Sequence, residues 1–581
     1  MSEPLELRRV QAALKKTTEA LLSEMNPQGY WTGELSSSAL STAVAVIALH
    51  RMGESSFVQP GLRWLADHAN EDGGWGDTIR SRSNLSTTAL VWAAFGATGQ
   101  DNTFRVAIDR AEQWLWKEAG SRERLPETVI ASYGKDRTFS VPILMTLALS
   151  GRLDPEGWRA VLPLPFELAA LPQSWFGALR LPVVSYALPA LIAIGQTIHH
   201  HAPSKNPVAR FIRNSVKERT LDRLTALQPP NGGFLEATPL TAFVTMSLAS
   251  MGRQEHPVAM RGAAFLKSSI RDDGSWPIDT NLATWLTTMA VRALAHQPDV
   301  LKTDQKQRIR EWLLGQQFQT THPYTGAAAG GWAWTDLPGG VPDADDTAGA
   351  LLALGLLGEP NSQTIRAAEN GIAWLLNLQN RDGGIPTFCK GWGTLPFDRS
   401  SPELTVHAML AWARWQNSVN PAMAKRIGAA MNRALRYLKA SQRSDGAWIP
   451  LWFGNESATA QDNPVYGTAR TLSGLKDLQA SGAVIDSNIM ERSMGFLRRT
   501  QLPEGGWGGD AHTPESIEET SLASEALMNP RGAARLLRRI ESNETHPEPI
   551  GLYFARLWYY ERLYPIIFAT SALGRIASHK F

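Results

Sequence analysis

The chain has 581 residues, of which 43% are hydrophobic and 19% are charged, so the composition excludes a largely disordered protein. The formal net charge of +2 gives no electrostatic reason to expect a nucleic-acid partner. The single cysteine excludes an intrachain disulfide and a metal site with several thiolate ligands. Tryptophan outnumbers tyrosine by 21 to 10, which indicates that large aromatic faces are used in quantity.

The first 16 residues lack the apolar core of a signal peptide, and no apolar run of the chain is long enough to span a bilayer. The first motif pairs Trp64-Leu65 on a predicted helix with the turn Gly73-Gly74-Trp75. It recurs along the chain, later with a glutamine between its two parts. These later copies are Phe265-Leu266 with Gly274-Ser275-Trp276, Trp312-Leu313 with Gln316 and Gly330-Gly331-Trp332, Trp374-Leu375 with Gln379 and Gly383-Gly384-Ile385, Tyr437-Leu438 with Gln442 and Gly446-Ala447-Trp448, and Phe496-Leu497 with Gln501 and Gly505-Gly506-Trp507.

The clearer copies are roughly 60 residues apart, which is long enough for two helices and their turns. Between them the sequence is rich in Ala and Leu and shows little strand-like alternation. We therefore predict an all-α fold of two α/α barrels. The glutamine is expected to bond a helix of the next repeat while the tryptophan stacks on it, so the repeats are interpreted as structural links and not as substrate contacts.

The strong repeats begin near a predicted boundary at residues 278–280. We assign residues 21–279 to a first, inserted barrel and residues 280–581 to a second barrel. Residues 1–20 form an N-terminal segment that is expected to pack on the second barrel. The stretch from Leu162 to Arg210 is rich in proline and poor in repeats, so it is interpreted as an insertion or a wall of the first barrel.

An acidic motif, Asp343-Ala344-Asp345-Asp346-Thr347, stands just before an Ala/Leu-rich predicted helix. Asp343 or Asp345 occupies the N-cap position, where the helix dipole favours an ionised carboxylate. Mutual repulsion opposes ionisation of the carboxyl group that is least solvated. Together the two effects predict ionised supports beside one protonated donor, the pattern of a catalytic acid.

Three other interpretations of these acids are a calcium loop, a magnesium site and a simple helix N-cap. A calcium loop requires a glutamate about eight residues past Asp346, where Leu354 and apolar neighbours stand. A magnesium site of the Asp-Asp-x-x-Asp type continues from neither Asp272-Asp273 nor Asp345-Asp346. A simple helix N-cap with solvated acids stays open as the alternative to a catalytic acid.

A second candidate lies at a predicted helix start, where Ser401 caps and Pro402 follows. Glu403 and His407 are then four residues apart and share one helix face. Alone, such a pair is more often an ordinary surface ion pair. Beside the acidic motif, the hypothesis is that His407, supported by Glu403, bonds the donor aspartate and strengthens it as an acid.

The run from Asp343 to Ala348, the Gly-x-Trp repeats and the acid-x-Thr-x-His helix together resemble squalene–hopene cyclases and their relatives, the class II triterpene cyclases. The likeness covers most of the chain and is strongest from about Phe265 onward. It implies a terpene cyclase of the isomerase or lyase type, which converts squalene or a related linear isoprenoid to a polycycle by protonation. It implies no metal and no redox cofactor.

The resemblance also implies roles for individual residues. Asp345 would protonate a terminal alkene, Asp343 and Asp346 would hold it and its water network, and His407 would bond to Asp345 with Glu403 behind it. Protonating an alkene needs a strong acid without competing water or base. Aromatic faces stabilise the migrating cation, and the family likeness places five of them in the substrate cavity: Trp285, Trp334, Phe388, Trp452 and Tyr553.

Several positions depart from the family pattern. Val341 stands where the family often has Tyr, Pro549 stands near the place of a late-ring Phe, and Ala237-Thr238 replace the Gln and Pro of hopene formers. These departures leave the substrate and product open. A cyclase of a shorter or aromatic-tailed prenyl substrate is one alternative, and a non-catalytic isoprenoid-binding α/α barrel is another.

A water-insoluble substrate implies contact with a membrane surface, and the family is monotopic, so we expect a peripheral protein on the cytoplasmic side of a membrane. Leu162 to Leu181 and Leu181 to Gly195 are the candidate contact segments, with buried barrel walls as the alternative. The run His199-His200-His201 is expected in a solvated loop and not at a metal. A homodimer stays open.

Overall fold

The computed structural model describes residues 3–134, 138–153, 157–172, 175–176, 179, 185–388, 396–552 and 554–578. Helices dominate, so the predicted all-α class is confirmed. In chain order they are α1 Glu3–Ser23, α2 Ala39–Arg51, α3 Ser55–Asp67, α4 Leu85–Ala97, α5 Arg105–Ala119, α6 Leu125–Ser132, α7 Ser140–Leu149, α8 Leu188–His201, α9 Pro207–Leu227, α10 Thr238–Ser250, α11 Pro257–Ser269, α12 Ala283–Leu294, α13 Thr303–Gly315, α14 Ala344–Leu356, α15 Ser362–Leu378, α16 Pro402–Trp415, α17 Pro421–Ser441, α18 Pro464–Ala480, α19 Ser487–Arg499, α20 Ile517–Leu527, α21 Pro530–Glu541 and α22 Tyr564–Ser578.

Six of these helices form the closed inner ring of the second barrel. In order around the ring they are α12, α14, α16, α18, α20 and α22, and α22 returns to contact α12. Helices α13, α15, α17, α19 and α21 pack outside this ring. Helix α1 contacts α21 and α22 and completes the outer layer. The exact limits of the three segments assigned from the sequence stay predictions.

The first barrel has a smaller ring of α2, α4, α7, α8 and α10, with α10 in contact with α2. Helices α3, α5, α6, α9 and α11 lie outside it. Helix α8 is buried from Leu188 to His199, so the described part of the second candidate membrane segment is a barrel wall. The loop expected for the three histidines is wrong, because they form the last turn of α8 and His199 donates to Asn214 Oδ1 over 3.0 Å.

Strands are few and short among the described residues. β1 (Ser37–Ser38) pairs antiparallel with β2 (Trp276–Pro277), with Ser38 opposite Trp276. β3 (Gly454–Asn455), β4 (Ile550–Leu552) and β5 (Leu557–Tyr559) form one antiparallel sheet in that order. These strands belong to loops at the junction of the barrels, where the backbone amide of Trp558 donates to Asp77 Oδ2 over 2.7 Å.

The tryptophan of each repeat links an outer helix to the next inner helix. Trp448 Nε1 donates to Leu438 O over 2.9 Å, and its backbone amide donates to Thr468 Oγ1 over 2.9 Å. The same pair of bonds recurs at Trp75, Trp276, Trp332 and Trp507. Trp31 makes it with Leu21 and Thr287, so α1 carries a copy of the repeat that the sequence analysis missed.

The glutamines link neighbouring outer helices, as predicted. Gln442 Nε2 donates to Gly446 O over 3.1 Å and to Ile489 O of α19 over 2.8 Å. The assignment of Gln316 to this role is wrong, because Gln317 makes the equivalent bonds while Gln316 bonds back to its own helix. Gln317 stands one helical turn after its leucine, as Gln442 does.

We predict that Thr468→Val lowers the free energy of unfolding by about 1–3 kcal/mol, because the buried amide of Trp448 loses its acceptor while the side-chain shape is kept. Urea denaturation measures the loss. Thr303→Val, at an exposed position of α13, is the matched control and should change the free energy by less than about 0.5 kcal/mol. Equal effects of the two variants would contradict the proposed link.

Candidate active site

The acidic motif is held by the turn of the third repeat. The amide of Asp343 donates to Trp332 O over 3.0 Å, and the amide of Trp332 donates to Thr347 Oγ1 over 3.0 Å. Both ends of the motif are therefore tied to one tryptophan. The repeats were expected to link helices only, but this repeat also positions the candidate acid.

The three aspartates of the motif occupy different environments. Asp343 is the N-cap of α14, and its Oδ1 accepts the amide of Asp346 over 2.9 Å. Asp343 and Asp346 are buried, and Asp346 Oδ1 has no hydrogen-bond partner among the described residues. Asp345 points elsewhere, and 17% of its side chain is exposed.

Burial raises the pKa of both Asp343 and Asp346. The Asp346 amide opposes this rise at Asp343, whereas the neighbouring carboxylates raise the pKa of Asp346 further. Asp346 is therefore the member of the pair that keeps its proton. This differs from the expected pair of ionised supports, because nothing in the described structure donates a hydrogen bond that would compensate an ionised Asp346.

His407 connects Asp345 to Arg292, a residue of helix α12 that the sequence analysis did not single out. Arg292 Nη1 donates to His407 Nε2 over 2.9 Å, and a guanidinium has no other role than donor. The imidazole proton must then lie on Nδ1, which donates to Asp345 Oδ1. Burial lowers the pKa of His407 to about 4, and the charge of Arg292 acts in the same direction, so the ring is neutral near pH 7.

Glu403 does not support His407 in the expected way. Its carboxyl group accepts the Ser401 hydroxyl and, over 2.8 Å, the backbone amide of Leu451. Burial raises the pKa of Glu403 to about 7. The side chain therefore anchors the segment 449–453, which carries Trp452 and Phe453. Glu403 does not bond to His407, whose Nε2 accepts from Arg292 instead.

One group of aromatic rings surrounds the acid. Trp285 lies edge-on to the His407 ring at 6.4 Å and stacks on Phe453 at 6.3 Å. Its Nε1 donates to the hydroxyl of Tyr564 over 3.1 Å. Phe453 also lies 4.7 Å from the ring of Tyr466. Of these residues the sequence indicated Trp285 alone.

A second group of rings continues away from the acid. The ring of Phe388 lies 6.2 Å from that of Trp334 and 6.1 Å from that of Trp452. Phe397 and Tyr186 complete the group, at 5.1 Å and 5.6 Å from Phe388. Trp334 and Trp452 pack against the cores on both sides and join the two groups. The structure therefore brings together four of the five expected aromatic residues, and Tyr553 lies outside the described residues.

Among the described residues, no group of three or more His, Cys, Asp or Glu side chains is arranged to hold a metal ion. The absence of a cofactor stays a prediction from the family likeness. What the described arrangement offers is a carboxyl group with one fixed hydrogen-bond donor, at the end of a path of aromatic rings.

Comparisons with known families cover most of the chain. The squalene–hopene cyclase N-terminal domain matches residues 14–218, and the squalene–hopene cyclase C-terminal domain matches residues 282–534. The two matches leave residues 219–281 between them, a stretch that contains α10, α11 and β2.

Curated relatives are distant. The chain is 24% identical to enfumafungin synthase of Hormonema carpetanum over 94% of this chain, and 24% identical to the squalene–hopene cyclase of Alicyclobacillus acidocaldarius over 80%. It spans 78% of the bacterial enzyme but about half of the length of two fungal relatives. The shares are 46% of enfumafungin synthase and 45% of the terpene cyclase–glycosyl transferase fusion protein of Humicola fuscoatra.

A solved structure shares the fold over the whole chain. The ent-copalyl diphosphate synthase from Streptomyces platensis superposes with a TM-score of 0.56 at 17% identity, covering 99% of each chain. Abietadiene synthase from Abies grandis gives a TM-score of 0.51 at 15% identity, covering 94% of this chain and 59% of that protein. At such identities the likeness concerns the fold alone.

We predict that Asp343→Asn makes the stability less dependent on pH. Burial raises the pKa of Asp343 in the folded protein. The contribution of this carboxyl group to the free energy of unfolding is therefore complete below about pH 4, and it is lost as the pH rises. Asparagine keeps the N-cap acceptor but does not titrate. Between about pH 4 and pH 7 the wild type should lose over about 1 kcal/mol more free energy of unfolding than the variant, measured by urea denaturation.

The control for this experiment is Asp304→Asn, which removes an exposed carboxylate from α13 without touching the buried cluster. Its stability should follow the wild-type pH profile. Parallel profiles for the wild type and Asp343→Asn would contradict the assignment of a raised pKa to Asp343.

Proposed function

We propose, on the premise that the chain belongs to the squalene–hopene cyclase family, that it is a class II terpene cyclase in which Asp345 protonates a linear isoprenoid. The observation that carries this proposal is the chain of hydrogen bonds from Arg292 through His407 to Asp345, which lies beside Trp285. An aspartate that only caps a helix would not need these hydrogen bonds, and Asp343 already caps α14.

The first step is a proton transfer from Asp345 to the substrate. Oδ1 is occupied by the Nδ1–H of His407, which leaves Oδ2 to carry the acidic proton. The terminal alkene takes this proton to form a C–H bond, and its other carbon becomes a tertiary cation. The carboxylate that remains is stabilised by the hydrogen bond from His407, and the charge of Arg292 supports that donor.

The aromatic rings then guide the cation. Trp285 and Phe453 lie nearest the acid, and Trp334, Phe388 and Trp452 follow. Each desolvated ring stabilises a nearby cation by about 1–2 kcal/mol without acting as a nucleophile. Phe453 has a left-handed backbone with a φ of 64°, an arrangement that costs about 1–3 kcal/mol and is concentrated at functional sites.

Squalene is the first substrate to test, because the relatives include squalene–hopene cyclases from two bacteria. The chain's own departures, among them the buried Val341, leave a shorter prenyl substrate as the second candidate. The same experiment determines the number of rings and the final quenching step, because it analyses the products and not only the loss of substrate.

We predict that the purified protein converts squalene, geranylgeranyl diphosphate or a prenylated aromatic to a cyclic product in the presence of EDTA. Asp345→Asn should lower the rate at least about 100-fold, because an amide cannot supply the acid proton. Mass spectrometry of the extracts measures the product. Asp304→Asn is the control for the loss of one carboxylate and should keep the rate.

Three outcomes would count against this function. Conversion that survives Asp345→Asn would remove the proposed acid. Failure to convert any of the three substrates would favour the non-catalytic isoprenoid-binding barrel. A requirement for magnesium would instead point to ionisation of a diphosphate.

We also propose that the protein rests on a membrane surface through one apolar patch. No helix among the described residues is long and apolar enough to cross a bilayer. The patch lies around helix α9 and around the segment at Glu167 on which this helix packs. Arg213 of α9 forms an ion pair with Glu167 at 3.1 Å. Its members are each between 46% and 73% exposed: Leu162, Trp175, Leu179, Val208, Phe211 and Ile212.

Basic side chains accompany this patch. Lys205 and Arg210 are exposed on the same stretch of chain, where they would attract anionic headgroups. An apolar face beside exposed basic residues is typical of interfacial attachment.

We predict that Val208→Ser with Phe211→Ser weakens binding to vesicles of phosphatidylcholine and phosphatidylglycerol by about tenfold or more, because two side chains no longer leave water. Sedimentation with the vesicles measures the bound fraction. Val484→Ser, at a 91% exposed position between α18 and α19, is the control and should bind like the wild type. Unchanged binding of the double variant would contradict the patch.

A further inference from the structure

The lumen of the second barrel contains a cavity of about 690 Å³ behind His407. All six inner helices contribute to its wall. Whereas Asp345 lies in the first turn of α14, Leu352 and Leu356 of the same helix line the cavity, so it lies toward the carboxyl ends of the inner helices. The cavity is therefore separate from the aromatic path on the other side of His407.

Four arginines line this cavity, and two of them bond to carboxylate or carbonyl oxygens. Arg575 donates to Asp477 Oδ1 over 2.5 Å and to Glu525 Oε1 over 3.5 Å. Arg414 donates to the carbonyl of Gly355. The carboxylates Asp477 and Glu525 are thus already engaged, and Glu403 bonds to Ser401 and Leu451.

The other two arginines, Arg292 and Arg470, lack a carboxylate partner among the described residues. Arg292 bonds the neutral ring of His407. Burial and the charge of Arg470 lower its pKa to about 10, although the charges of Asp477, Glu525 and Asp345 act in the opposite direction. Two partly buried guanidinium groups that repel each other are unfavourable unless a negative charge lies between them.

We propose that this lumen binds a small oxyanion of the phosphate class between Arg292 and Arg470. Guanidinium groups present paired N–H donors that match the oxygens of such an anion. Ser473 lines the cavity one helical turn after Arg470 and adds a hydroxyl. The cavity exceeds the volume of one phosphate, and Leu522 and Phe568 in its wall suit a short alkyl group. The anion is thus inorganic phosphate or the phosphate end of a larger molecule.

Calorimetric titration of the full-length protein tests this site, with inorganic phosphate, diphosphate and butyl phosphate as separate probes. We expect saturable binding of at least one probe, weakened at least about tenfold by Arg470→Gln, which removes a charge-assisted contact. Equal affinities for phosphate and butyl phosphate would identify a free anion. A clear preference for butyl phosphate would identify the phosphate end of a larger molecule.

The control is Arg426→Gln, which removes an exposed arginine of α17 and should bind as the wild type does. Arg470→Lys keeps the charge, serves where the glutamine variant fails to fold, and should bind more weakly than the wild type. Absence of saturable binding in the wild type, or equal affinities in the wild type and both Arg470 variants, would overturn the proposal. No isoprenoid enters the titration, so its result is independent of cyclase activity.

Discussion

The geometry of the candidate site depends on the pair of hydrogen bonds between the Trp332 turn and the start of α14. These bonds fix where the helix begins, and the start of the helix decides which aspartate caps it. Because Asp343 is the cap, Asp345 comes two residues later and faces His407. A structural repeat found six times in the described chain has here acquired a second task, the placement of an acid.

Placing three carboxyl groups at one helix start has an electrostatic cost that the structure distributes unequally. Asp343 receives a backbone amide, the pKa of Asp346 is raised by burial and by the neighbouring carboxylates, and Asp345 receives the imidazole. Only Asp345 combines a fixed donor with partial exposure. The differences in environment, and not the cluster itself, separate a candidate proton donor from its neighbours.

Much of the fold follows from local sequence. Trp448 and Gln442 both lie close to Leu438 in sequence, and their hydrogen bonds form within this short segment. The repeats, and the barrels built from them, could therefore be predicted. The insertion before Gly330 hides the spacing that would distinguish Gln317 from Gln316. Helix α1 was assigned to the second barrel without its repeat, since Trp31 lacks the usual glutamine.

The candidate site was predictable where its residues stand in recognisable motifs, even when these motifs are far apart in the chain, as Asp345 and His407 are. The acidic motif was visible in the sequence, and Trp452 was implied by the family likeness. Phe453, Tyr564 and Arg292 reach the acid from distant elements that carry no such signal. The pairing of Glu403 with His407 was wrong for a related reason. Their spacing puts them on one helix face, but Leu451 and Arg292, both distant, offer better hydrogen bonds.

Arg292 links the lumen on one side of His407 to Asp345 on the other side. It donates to the nitrogen that faces the lumen, and that bond sets the proton on the nitrogen that faces Asp345. A negative charge held beside Arg292 and Arg470 would offset the field that disfavours protonation of His407. Linkage makes the effect reciprocal, since any change that an anion makes to the protonation of His407 must equally change the affinity of the lumen for that anion. The barrel lumen and the acid are therefore electrostatically coupled through Arg292 and His407.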